Sequence, residues 1–95
     1  MPSIGALTLE VVLEQSHSLK DKRNVVRALK DRLRSKFNVS VAEIGGQDSW
    51  QRAVVSAVTV SGDRQYAEQL LQAVEREAEQ LLGGALAGAW VEWLS

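Results

Sequence analysis

Ninety-five residues suffice for one domain with one hydrophobic core, not two. The chain is 45% hydrophobic and 24% charged, has no Cys, and sets 11 Lys and Arg against 12 Asp and Glu, a net charge of −1. These figures exclude a disulfide framework, a thiolate zinc site, thiol catalysis and a disordered chain, and the near-zero total by itself speaks against an anionic partner.

The N-terminus lacks the basic start and long apolar run of a signal peptide, and Glu10 and Glu14 interrupt its hydrophobic stretch. No segment approaches the roughly 18 apolar residues of a membrane span. A cytoplasmic location without membrane attachment is therefore expected.

Residues 4–14 read as a strand, because Leu7, Leu9, Val11 and Leu13 alternate with Ala6, Thr8, Glu10 and Val12. Ser18 is the expected N-cap of a helix over 19–36, whose face is Val25, Val26, Leu29 and Leu33. Residues 37–44 are β-branched and alternating, a second strand. Gly45-Gly46 opens a short polar loop, and 50–61 form a third strand, antiparallel to the second. Asp63 caps a second helix over 64–82, with Ala67, Leu70, Val74, Ala78 and Leu81 on its apolar face. Gly83-Gly84 stops it, and 85–94 read as a last strand. The order βαββαβ predicts an α+β, ferredoxin-like domain: a four-stranded antiparallel sheet with both helices on one face.

Signals for catalysis are weak. His17 is the only histidine and stands at a strand–helix junction. Without Cys, a metal site would need carboxylates, and none pair at ligand spacing. Glu75, Glu77 and Glu79 lie two apart on a helix, point in different directions, and read as a solvated face. Neither Gly-Gly pair sits in a phosphate-binding context, and no nucleophile elbow occurs. The expectation is a binding protein without metal or cofactor.

Charge distribution says more than its total. Residues 18–36 hold eight Lys and Arg and only two Asp, so a strongly basic helix stands beside an acidic remainder. Lys20, Arg23, Arg27, Lys30 and Arg34 step by three and four residues and, at about 100° per residue, fall in an arc of roughly 80° beside the apolar stripe. Unrelieved like charges at this spacing slightly destabilise a helix. They suit an anionic partner, RNA or a ribosomal particle, met through phosphates. The alternative is an ordinary solvated face neutralised by acids of the second helix.

Binding of RNA on the open sheet face, by stacked aromatics, fits poorly, because that face of the first strand offers Thr8, Glu10 and Val12. The later strands are apolar on both sides, and one of Trp90 and Trp93 must point outward. Val12, Ile44, Val55 and Trp90 are the expected members of an apolar outer patch, and a homodimer through the sheet is the expected assembly.

Three ordered segments, Ser18-Leu19-Lys20-Asp21-Lys22-Arg23, Phe37-Asn38-Val39-Ser40-Val41-Ala42-Glu43 and Gln47-Asp48-Ser49-Trp50-Gln51-Arg52-Ala53, give the chain its family likeness. It resembles the YlxP-like family of small bacterial proteins, a domain of unknown function. The resemblance implies a ferredoxin-like fold in a bacterial cytoplasmic protein. The family's genes often neighbour translation-initiation and ribosome-maturation genes, which points towards RNA or the ribosome. It supplies no catalytic residues. Where relatives often carry His or Asp before Gln47-Asp48, this chain has Gly45-Gly46. Within these segments Glu43, Asp48 and Arg52 are expected to form a polar cluster fixing the hairpin, and Lys22 to pack its stem while its ammonium reaches outward.

Overall fold

A computed structural model describes all 95 residues. In chain order it contains β1 (Ser3–Val12), α1 (Leu19–Lys36), β2 (Ser40–Gly45), β3 (Arg52–Ser61), α2 (Arg64–Leu82), a single 3-10 turn (Gly83–Ala85) and β4 (Leu86–Trp93). The strands form one antiparallel sheet in the order β2-β3-β1-β4. This is the expected ferredoxin-like arrangement. No helix is long and apolar enough to cross a membrane.

Both helices begin where the sequence places a cap. Ser18 Oγ accepts from Asp21 N–H at 3.1 Å, and Asp63 Oδ1 accepts from Gln65 N–H at 3.0 Å. The Asp21 carboxylate in turn accepts from His17 N–H, tying the junction to the first helical turn. The second strand starts later than its β-branched run predicts. Phe37 N–H donates to Leu33 O to close α1, and Phe37 and Val39 pack their side chains on the core as the connection turns.

The core lies between the sheet and the two helices. Leu7, Leu9 and Val11 of β1 and Ala53, Val55 and Ala57 of β3 are fully buried beneath Leu29 and Leu33 of α1 and Leu71 and Val74 of α2. Val55 is therefore not part of an outer patch. It is paired with Leu9, and a period of two puts both beneath the helices, while Val54, opposite Glu10, takes the outer position. On α2, Leu71 is the deeply buried leucine and Leu70 only half-buried.

The two late tryptophans divide as the alternation requires. Trp93 lies on the helix side, partly buried against the core, with the Arg64 guanidinium 3.9 Å from its ring centroid. Trp90, three residues earlier, points to the open side and stays 45% exposed. Opposite Trp93 in the register stands Gly5, where a Cβ would meet Trp93 Cζ3 at 2.7 Å and Leu71 Cδ1 at 2.9 Å. The glycine lets the ring close over the end of the sheet. Gly5→Ala should destabilise the domain by about 1–3 kcal/mol through overpacking, read by urea denaturation. Unchanged stability would contradict this packing.

Candidate functional site

The β1–α1 connection, the first turns of α1 and the β2–β3 loop meet at one end of the domain; Leu13 N–H donates to Gln51 O to join connection and loop, and Lys22 fastens the helix to the loop. It sits on α1 in line with Val26, Leu29 and Leu33 and is only 1% exposed. Its ammonium turns inward into the β2–β3 loop instead of reaching solvent. Nζ donates to Gly46 O, to Gln47 O at 3.2 Å and to Arg52 O at 3.4 Å, and lies 3.3 Å from Glu43 Oε2. An ammonium has three protons, and the three carbonyls take them. Glu43 Oε2 is thus buried in charge contact with Lys22 but receives no hydrogen bond.

The loop is shaped to present those carbonyls. Gly46 has φ +77, and a Cβ there would lie 2.7 Å from Arg52 O, so its left-handed backbone and the close approach both demand glycine. Ser49 Oγ accepts from Gln51 and Arg52 N–H, and Ser49 N–H donates to Gly46 O. The expected cluster of Glu43, Asp48 and Arg52 does not form. Glu43 faces α1 and meets Lys22, whereas the Arg52 side chain lies on the opposite face and pairs with Glu10 at 3.2 Å. Asp48 is exposed at the loop, and so is Trp50.

The basic row of α1 is present on the surface. Lys20, Arg23, Arg27 and Arg34 are exposed and Lys30 half-buried. Of the five, only Arg34 has a carboxylate nearby, Asp31 at 3.9 Å, and its guanidinium also reaches Val41 O on β2. The second helix does not neutralise the row. Its Glu77 points the other way and takes Arg32 at 2.9 Å and Lys36 at 3.1 Å, a clasp between the helices. Hydrogen bonds from Arg32 and Lys36 hold the Glu77 carboxyl below its ordinary 4.5, against the opposing effect of burial. Glu77 is therefore no part of a solvated face. Its position between Val74 and Ala78 was the signal.

The open side of the sheet is uncovered. Trp90, Ile44 at 56% exposure and Val60 at 62% stand on it, with Val12, Val54 and Val58 half-buried between. Its charges are the Glu10–Arg52 pair and Glu92. A cleft of about 580 Å³ opens elsewhere, between the β1–α1 connection and the 3-10 turn, lined among others by Leu13, Ser16, Asp21 and Val25. Its lining includes neither His17 nor Glu43, Asp48 or Arg52.

Comparison with known proteins places this geometry. Residues 4–87 match the family described as "Protein of unknown function (DUF503)". The chain is 42% identical over 71 residues to "Uncharacterized protein YlxP" of Bacillus subtilis (strain 168), covering 75% of this chain and 77% of that protein. Among solved structures, the de novo designed protein Foldit4 is similar across 100% of this chain and 98% of its own, with TM-score 0.61 and 14% identity. The Bacillus subtilis YXEP protein, a dinuclear metal-binding peptidase of the M20 family, is similar over 98% of this chain and 26% of its own, with TM-score 0.54 and 13% identity. At such identities the structural likenesses speak for the fold alone.

Lys22→Met keeps the packed stem but removes a donor from three carbonyls and leaves the Glu43 carboxylate without its counter-charge. The expected loss is about 3–5 kcal/mol, with faster amide exchange across residues 46–52, measured by denaturation and hydrogen exchange. Native protection in that loop would contradict the lock.

Proposed function

The chain belongs to the DUF503 family, and we propose that this protein binds RNA, free or within a ribosomal particle, through the basic row of α1. One observation carries the reading: Lys20, Arg23, Arg27 and Lys30 take part in no ion pair within the molecule. The second helix gives Glu77 to Arg32 and Lys36 and no acid to the row. Four cations along one helix edge form an extended ladder for phosphates, with Arg34 continuing it. Such contacts position a nucleic acid without reading its bases, so the reading is of a non-enzymatic, cytoplasmic protein with little sequence preference.

The test uses an unstructured RNA 20-mer and purified ribosomal subunits. Affinity should fall with salt at a log–log slope of about −3, as expected for four phosphate contacts to a single strand. Arg23→Glu, Arg27→Glu and Lys30→Glu together should weaken binding at least ~100-fold with an unchanged circular dichroism spectrum. Equal affinity of the triple variant would refute the proposal.

A second reading is favoured by the uncovered sheet face: a homodimeric interaction module that uses this face and needs no nucleic acid. Exposed Trp90, Ile44 and Val60 around half-buried valines form an uncovered apolar face of the kind that marks a protein interface. Sedimentation at high micromolar concentration should give a dimer. A monomer there ends this second reading and leaves the first intact.

A further inference from the structure

The register of the open face shows where bulk and space lie on it. One cross-strand row runs Ala42–Ser56–Thr8–Trp90 from β2 to β4, with its only large side chain at the β4 end. The next runs Ser40–Val58–Ala6–Glu92. On the other side of the Trp90 row, the bulge in β2 sets Ile44 at one edge and Gly88 at the other. In all three rows a small residue at one edge is matched by a larger one at the opposite edge.

We propose that two copies of this chain pack their open faces together about a two-fold axis running along the strands, which seats each Trp90 over the Ala42 end of its partner's row. The proposal rests on the self-association reading and specifies its geometry. A two-fold in this direction lays β4 of one copy over β2 of the other, so the same operation sets Ile44 over Gly88 and Glu92 over Ser40, whose hydroxyl can donate to the carboxylate. An axis across the strands would instead lay β4 on β4. With the axis at the level of the Trp90 row, it would crowd the two Trp90 rings at one side and leave Ala42 facing Ala42 at the other.

The size of the face fits a second copy. Four strands at about 4.8 Å and some eight residues at about 3.3 Å span a projected area on the order of 500 Å². Side-chain relief raises that towards the ~800 Å² per partner typical of stable pairs. Facing sheets pack about 10 Å apart with side chains interdigitated, the depth that an indole over an alanine would fill. The Glu10–Arg52 pair brings its own neutralisation to the interface. Both basic rows would then lie on the outer surfaces, free for a ligand.

A residue swap tests the geometry. Trp90→Ala removes the knob and Ala42→Trp fills its seat; each alone should raise the dimer dissociation constant at least ~10-fold by sedimentation equilibrium. The double variant should return to within about threefold of the original, because the knob and its seat have exchanged strands. Both positions lie on the open face, so circular dichroism should stay native. A dimer in which the double variant is no better than the worse single variant overturns this arrangement while leaving self-association standing. A monomeric parent protein at high micromolar concentration overturns both.

Discussion

Everything in this molecule follows from covering a four-stranded sheet on one side only. Two helices seal the face that carries Leu7, Leu9, Val11, Ala53, Val55 and Ala57, and these residues reach zero exposure. A strand alternates its side chains with a period of two, so one covered face commits every neighbour to the uncovered one. Val54 and Val55 are chemically identical and one residue apart. One lies on an open surface, and the other is part of the core.

The same layering sorts the charges of α1. The helix has an inward arc, a flank towards α2 and a flank towards the β2 edge, and its cations are distributed over all three. Lys22 enters the interior and is consumed by loop carbonyls and Glu43. Arg32 and Lys36 turn to α2 and are consumed by Glu77. The remaining row meets no such partner except Asp31 beside Arg34. A helix with a formal charge of six is thus three electrostatic environments, and one of them has no acidic partner except at Arg34.

Lys22 also ties the first helix to the β2–β3 hairpin. The β2–β3 loop buries no residue of its own; its order rests on Ser49, Gly46, the Leu13 N–H that donates to Gln51 O, and the ammonium that α1 inserts. A buried charge of this kind is tolerated because each proton has an acceptor. It fixes the start of α1, and with it Lys20 and Arg23, against the sheet.

Sequence alone determined the element order, both N-caps, the break at Gly83-Gly84 and the ferredoxin-like class, because these depend on local periodicity and capping chemistry. It also determined the basic row, since a straight helix converts spacing into an arc without reference to anything else. What it could not determine was the partner of any charge. The proposed Glu43–Asp48–Arg52 cluster grouped residues close in sequence, yet strand pleating sends Glu43 and Arg52 to opposite faces. The ambiguity between Val54 and Val55 arose because β3 is apolar on both sides, and only pairing with Leu9 resolves it. The net charge of −1 belongs to composition. Which cations remain available to a ligand was decided by tertiary structure, because ion pairing acts over a few ångströms between residues that lie tens of positions apart in the chain.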